Sequence, residues 1–480
     1  MDHHEDLCPY EEAQMPGTFT AATRGQLEAD VPLGDIPNLV GDIRHLIPKY
    51  GLRNYWYPAI SAHKVPKTKP VRVSMLGEDL VFFRNKAGEP MALQDVCPHR
   101  GARFSQGHIH WPGTIACPYH GWVFDENGKN IMVLSEGPES KVCGKSGTEA
   151  YVYPTKTLKG VVFAWIGDTK PAPIEEDVPP EFFDEKAYIT WNDHVHWPTN
   201  WLVALENSMD SHVAYLHRDN IGVLLAGEHV GARGAQGFKP VFTGNGFRGP
   251  TMAEVQAGRA STSGGARIPD KKDVYPDGKT WPKGKVRNWW NWIFAVPFFF
   301  LRVPAPATYN TEWWGQGHRL PGYFRAGGAG FGPKGIKGML TGRGGAGLHG
   351  MYTRWPVALG PWSTRLWYFH YSRPKTVFHK YYHKFIYNIF GRWAVEYNFS
   401  IQDGSMMFNQ RYDWPEKLSG HDAEVIQWRR LVVSKAYGGR YAKYGYDHDK
   451  EGSDIDERKV EAPTGTFSKD SVPGNEIAAG

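Results

Sequence analysis

The chain has 480 residues, more than one small domain uses, which points to two or three domains. Its hydrophobic share of 41% and charged share of 22% are those of an ordinary globular protein, which argues against a disordered or fibrous chain. A net charge of +5 over that length is too weak to argue for a nucleic-acid partner or a membrane surface.

Aromatic residues reach 14%, with 19 Trp, and lean toward an apolar cavity as well as a core. The start, MDHHEDLCPYEEA, is acidic and has neither the apolar stretch of a secretory signal nor the arginines of a transit peptide. The most apolar run, Trp289 to Leu301, is too short for a bilayer, which needs about 20 residues. Nothing in the sequence demands a disulfide, so a reducing, cytoplasmic setting is expected.

Residues 1–50 are polar and then mildly amphipathic, with a short helix expected around Asp42 to Leu46. From Tyr55 the pattern changes to short strands and turns. Val71 to Met75, Leu80 to Arg84, Met91 to Val96 and Val161 to Ile166 read as strands, with turns at Lys86-Ala87-Gly88 and Asn127-Gly128. A small all-β domain over 51–168 follows from this.

Two loops of that domain carry Cys97-Pro98-His99 and, after 17 residues, Cys117-Pro118-Tyr119-His120. Zinc fingers keep their cysteines together and their histidines together, whereas here each loop supplies one of each. That set suits a two-iron cluster in which two thiolates hold one iron and two imidazoles the other. Gly101, Gly121 and the two prolines permit tight turns that bring backbone N–H groups toward the sulfurs. His108 and His110 lie between the loops and read as ordinary loop histidines. Of the remaining Cys8 and Cys143, Cys143 reads as a plain thiol rather than a third sulfur ligand.

Asp168 to Pro180 is Pro-rich and acidic, and reads as a linker over 169–186 between two domains. In the second domain, Leu202, Leu205 and Met209 have helical spacing. His212 and His217 follow, five residues apart, about 140° around a regular helix. Both can bind one metal only if the helix ends or bulges between them. Two structural histidines are the competing reading.

The wording CPHRGA and CPYHGW resembles the Rieske non-heme iron oxygenases. The segment Glu206-Asn207-Ser208-Met209-Asp210-Ser211-His212 through His217 is similar to that family's E-N-x-x-D-x-x-H-x4-H signature, with one residue fewer between Asp210 and His212. SIQDGSMMFNQ, which holds Asp403, and the segment from Pro415 to Arg430 resemble the phthalate and carbazole dioxygenase oxygenase subgroup.

The resemblance implies an α+β chain: a small all-β Rieske [2Fe-2S] domain, then a helix-grip (START-like) antiparallel-sheet catalytic domain over 187–448. A long C-terminal helix would begin at Asp403, with Ser419-x-x-Asp422 starting its helical continuation; 449–480, polar with Gly, Pro and Ser, reads from its composition as a disordered tail. The resemblance implies Cys97, His99, Cys117 and His120 as cluster ligands and His212, His217 and Asp403 as ligands of Fe(2+). Asp210 would be the electron bridge to a cluster histidine of a neighbouring subunit, with Asn207 and Glu206 beside it.

The implied partners are O2, an aromatic or polycyclic substrate (carboxylated ones included), a separate NAD(P)H-dependent reductase with or without a ferredoxin, and further copies in a homotrimer or stacked trimers. Ring dihydroxylation is the leading reading. O- or N-demethylation is the alternative, and an electron-transfer or ligand-binding protein a distant one. Gly342 to Gly347 formally matches G-x-G-x-x-G but has no strand before it or helix after it, so a loop is expected. Trp289, Trp290, Trp292, Phe294 and Phe298 to Phe300 are expected to build sheet and pocket wall.

Overall fold

The computed structural model describes residue 44 and residues 47–137, 139–167, 170–191, 194–210, 212–219, 241–242, 246–248, 316–327, 351–374, 376–391, 399–412, 414–419 and 422–432. The apolar run at 289–301, the glycine-rich segment at 342–347, the tail at 449–480 and all but Arg44 of the expected helix at 42–46 lie outside these.

The first ten strands are β1 (Tyr55–Ser61), β2 (Val71–Met75), β3 (Glu78–Arg84), β4 (Pro90–Gln94), β5 (Thr114–Ala116), β6 (Trp122–Asp125), β7 (Asn130–Val133), β8 (Val152–Tyr153), β9 (Thr155–Leu158) and β10 (Val161–Ile166). They form three antiparallel sheets, in the orders β1-β10-β9, β2-β3-β4-β8 and β5-β6-β7. β10 reads VVFAWI and is buried along its whole length, as a strand covered on both faces requires. The β6–β7 hairpin turns at Gly128, whose φ of +73° a residue with a Cβ adopts only under strain. A Cβ there would also meet the Ala150 carbonyl oxygen at 2.1 Å.

The second part holds β11 (Tyr188–Trp191), β12 (His194–Trp197), helices α1 (Trp201–Glu206) and α2 (Val213–Leu216), β13 (Val241–Phe242), β14 (Gly246–Arg248), β15 (Gln316–Arg319), β16 (Tyr323–Gly327), β17 (Met351–Gly360) and β18 (Ser363–Ser372). Three further helices follow: α3 (Val377–Ile386), α4 (Ser400–Met407) and α5 (Ala423–Val432). Strands β11 and β13–β18 run in the order β11-β18-β17-β16-β15-β14-β13, and β12 pairs with β18. All these pairings are antiparallel.

Trp201 and Leu205 of α1 are buried in one core with Trp355, Trp367 and Phe369 of the long β17–β18 hairpin. Each such side chain stabilises the fold by roughly 1.5–3 kcal/mol through apolar burial. That core runs on through Trp56, Phe163 and Trp165 of the first part and Trp428 and Leu431 of α5. A smaller core of Val81, Phe83, Leu93, Phe104, Ile115 and Phe124 lies with Cys97 and Cys117 beneath the two cysteine loops.

Two devices join the parts. The tip of the β2–β3 hairpin places Leu76 at φ +51°, fully buried, and its N–H donates to the Ala358 carbonyl of β17 at 2.8 Å. A positive φ at a leucine costs energy and persists only where surrounding contacts hold it. The segment around 174–182 also packs inward: Ile174, Asp177, Val178, Glu181 and Phe182 are buried. Asp177 accepts from the Trp56 N–H of β1 at 2.9 Å, and Glu181 from Arg325 Nε of β16 at 3.0 Å.

One expectation is corrected. A single long C-terminal helix begun by Asp403 is not found among the described residues. Asp403 lies within the eight-residue α4, and α5 begins only at Ala423. Pro415 between them lacks an N–H and would break a continuous helix. The intervening chain delivers Glu416 to Arg429 instead. Asp422 does accept from the Ser419 N–H at 2.7 Å just before α5, the reach-back of a capping box.

Candidate metal centres

The two cysteine loops have one geometry. In the first, Gly101 N–H returns to the Cys97 carbonyl at 2.9 Å and Cys97 N–H donates to Ala102 O at 2.8 Å. In the second, Gly121 N–H returns to Cys117 O at 3.2 Å and Cys117 N–H donates to Trp122 O at 2.8 Å. Both glycines have positive φ, +74° and +68°, and a Cβ on Gly121 would meet Leu134 Cβ at 2.9 Å.

Each turn aims backbone N–H groups at its sulfur, those of His99 and Arg100 at Cys97 and those of Tyr119 and His120 at Cys117. The thiols are within hydrogen-bonding reach of each other. That contact lowers Cys117, while the same contact and burial push Cys97 up. The rings of His99 and His120 stand 4.5 Å apart, and Trp122 stacks flat on His99 at 4.7 Å. Two sulfurs and two imidazoles thus converge as a mixed cluster requires.

The cysteines are buried, whereas His99 is exposed, His120 half-buried and Tyr119 61% exposed. His108 and His110 are exposed and pack on each other. Cys143 is a half-buried free thiol at the edge of the cluster core.

The second constellation starts from α1. Asn200 caps the helix by accepting from Leu202 N–H at 2.9 Å, and the helix ends at Glu206. Met209 falls in the following turn, where the N–H groups of Met209 and Asp210 donate to Glu206 O at 2.8 and 3.2 Å. His212 precedes α2 and His217 opens the 3-10 turn after it, so the chain leaves regular helix around the pair. Their rings stand 5.5 Å apart.

Asp403 of α4 is 1% exposed and presents Oδ1 to both histidines, at 2.9 Å from His212 Nε2 and 3.0 Å from His217 Nε2. These three residues offer ligand atoms that all lie within 4.8 Å of one another. Two imidazoles and one carboxylate are the donor set of a non-heme Fe(II) site with open positions, and the residues fit that ion.

Charge is arranged around the triad. Burial would raise the Asp403 carboxyl, but its bonds to His212 and His217 outweigh burial and hold it well below the usual range. Burial also opposes a charged His212, yet the Asp210 and Asp403 carboxylates lift it to about 9. Asp210 Oδ1 pairs with His212 Nδ1.

Asn207 contacts Asp403 Oδ1 at 3.5 Å and accepts from Arg354 at 3.0 Å. Glu206 is held by buried Arg429 through two bonds of 2.6 and 2.8 Å, and Arg429 also binds Glu416, which pairs with Arg44 at 3.0 Å. A cavity of about 630 Å³ opens beside Asp210 and His212 and carries the carboxylates of Glu206, Asp219, Glu416 and Asp422.

Arg354 and Phe399 were not singled out in the sequence, and Gln402, Glu416 and Arg429 entered it only within the segments that resemble the subgroup, without a role. The arginines come from distant segments and follow no spacing rule. Phe399, Gln402 and Asp403, however, stand at i, i+3 and i+4, the spacing of a shared helix face.

Fold and donor sets together describe an iron–sulfur domain joined to a second, mononuclear metal-binding arrangement in one chain. The sequence comparisons agree. Residues 55–141 match the Rieske [2Fe-2S] domain and residues 165–246 the homotrimeric ring hydroxylase family.

The terminal oxygenase component of carbazole 1,9a-dioxygenase from Sphingomonas sp is 34% identical over 174 residues, 36% of this chain and 45% of that protein. The 5,5'-dehydrodivanillate O-demethylase oxygenase subunit of a Sphingobium strain is 29% identical over 263 residues, 53% of this chain and 55% of that protein. The terminal oxygenase of carbazole 1,9a-dioxygenase from Novosphingobium sp. KA1 shares the fold, with a TM-score of 0.60 at 22% identity over 82% of this chain and 95% of that one.

The chain thus carries a Rieske [2Fe-2S] domain over residues 55–141 and, over residues 165–246, is similar to homotrimeric ring hydroxylases. It spans about half the length of the curated relatives it matches.

Proposed function

We propose that this chain is the terminal oxygenase of a ring-hydroxylating dioxygenase, acting on an aromatic or polycyclic compound to give a cis-dihydrodiol or hydroxylated product. The observation that carries this reading is the presence, in one chain, of the Cys97–His99–Cys117–His120 set and the His212–His217–Asp403 triad. When bound, the cluster supplies single electrons and the mononuclear iron supplies reductive activation of O2.

The protein's own residues hold and aim these centres. Cys97 and Cys117 take one cluster iron, and His99 and His120 the other at the exposed tip of the domain. Asp210, 38% exposed and paired with His212, takes the role of bridge between that triad and His120 of the partner subunit. The placement of the imidazole tip at the surface supports delivery between subunits of a homotrimer or stacked trimers.

Residues 51–168 and 187–448 are assigned to the two centres, with 169–186 as the connection. The relative's description as a terminal component supports an NAD(P)H-dependent reductase, with or without a ferredoxin, as electron source. Among the described residues no helix is long and apolar enough to cross a membrane, and a cytoplasmic setting fits this reading.

Demethylation is the second reading, favoured by the similarity to an O-demethylase oxygenase subunit. Incubating the reconstituted system with a panel of aromatic and terpenoid acids under O2 decides between them. A cis-diol supports dihydroxylation, and release of an aldehyde from a methoxy or N-methyl substrate overturns it. Iron counting addresses the distant electron-carrier reading: about three irons per chain support an oxygenase, and two exclude it.

A further inference from the structure

We infer that Gln402 is a positioning residue for the mononuclear centre, fixing His217 in the tautomer and ring orientation that turn Nε2 toward Asp403. The inference rests on the assignment of His217 and Asp403 as ligands and adds a residue to it. His217 is fully buried, and its Nδ1 lies 2.8 Å from Gln402 Oε1. A side-chain amide oxygen can only accept, so Gln402 holds a proton on Nδ1, and a metal that displaces the Nε2 proton facing Asp403 meets Nε2 as its ligand atom. Nε2 itself lies 3.0 Å from Asp403 Oδ1, so the two ligand atoms stand side by side.

A second contact fixes the plane of the ring. Phe399 stacks on His217 with centroids 3.6 Å apart and planes within 13°. Phe399, Gln402 and Asp403 occupy one face of the α4 turn, so a single turn supplies a stacking surface, an acceptor and a carboxylate.

The partners of the two imidazoles differ in kind. His212 Nδ1 is held by a carboxylate, Asp210, that reaches the cavity, whereas His217 Nδ1 is held by a neutral amide. A neutral acceptor orients His217 without placing a second negative charge beside buried Asp403, where an unpaired charge is costly. His217 is thus the fixed ligand of the pair, and His212 the one whose surroundings respond to what docks at Asp210.

The test is Fe(II) affinity of the otherwise intact protein, measured by chelator competition, with the EPR signal of the nitric-oxide adduct as a second readout. Gln402→Leu is expected to weaken iron binding 10–100-fold and broaden the nitrosyl signal. Gln402→Glu, which keeps an acceptor, is expected to recover affinity to within a few-fold. Gln402→Met replaces Leu if that variant does not fold, as judged by the cluster's own EPR spectrum. Wild-type affinity and nitrosyl signal in Leu or Met overturn the inference, as does equal loss in Glu and Leu. A wild-type protein that binds only the cluster irons would instead overturn the ligand assignment itself.

Discussion

Asp210 and His212 are joined side chain to side chain, Oδ1 to Nδ1, although only one residue separates them. On a regular helix residues two apart point in nearly opposite directions and could not meet. Here α1 has ended at Glu206 and α2 has not begun, so Asp210 bends back on its neighbour. The shortened spacing is therefore compatible with a carboxylate touching both the cavity and an imidazole of the triad. Asp210→Asn keeps the shape and removes the charge. Turnover should then fall roughly 10–100-fold with iron content retained. Rapid-quench measurement of cluster reoxidation in a single turnover checks this. A wild-type rate in the variant would remove Asp210 from the bridge.

The Rieske loops make a separate prediction. His99 is exposed and His120 half-buried, while the thiols are inside, so the proposed assignment makes the imidazoles the outer ligands. Replacing either by Cys turns the donor set toward that of an all-thiolate cluster and adds negative charge. The reduction potential should drop by on the order of a few hundred mV. Protein-film voltammetry and the EPR spectrum of the reduced cluster read the change. An unshifted potential in both variants would refute the ligand assignment.

How much of this was legible in the sequence depended on distance along the chain. The cluster loops were, because all four donors sit in two short segments with fixed spacing and a glycine after each. The hairpin at Asn127-Gly128 and strands such as Val71–Met75 were legible for the same local reason. The end of α1 was not: Met209 continues the helical spacing, but the chain turns at Glu206 before reaching it. Nor was the inward packing of Ile174 and Phe182, since a Pro-rich acidic stretch reads as a surface crossing. Asp403 was pointed to by resemblance alone, because carboxylates are common and His217 and His212 lie 186 and 191 residues away. Arg429 carried no signal, since its two acidic partners come from separate segments.

Arg429 also predicts a stability effect. It is 1% exposed and binds Glu206 at the end of α1 and Glu416 before α5, so one guanidinium ties three segments together. Removing it leaves the buried Glu206 carboxylate without its cation, while Glu416 keeps Arg44, and breaking such a buried pair costs about 3–5 kcal/mol. Arg429→Met should lose that much in urea unfolding, whereas the double variant with Glu206→Gln should regain most of it. A single variant as stable as wild type would mean the network adds nothing net.

Glu424 gives the protein a pH dependence of its own. It is buried in the first turn of α5, and burial, with repulsion from Asp210 as a lesser contribution, pushes its carboxyl from 4.5 up to about 8. The folded state therefore holds a proton that the unfolded chain releases near pH 4.5. Between about 4.5 and 8 the folded form binds more protons, so each rise in pH within that window lowers stability. The loss is complete above 8 and absent below 4.5, and amounts to at most about 5 kcal/mol. Glu424→Gln, which is neutral at every pH, should flatten this part of the stability profile and be the more stable protein at pH 8. Asp210→Asn should move the midpoint of the same transition down without abolishing it. Urea midpoints measured from pH 5 to 9 on the three proteins test both statements. If wild type and Glu424→Gln follow parallel curves across that range, Glu424 is ionised in the fold and this account of it fails.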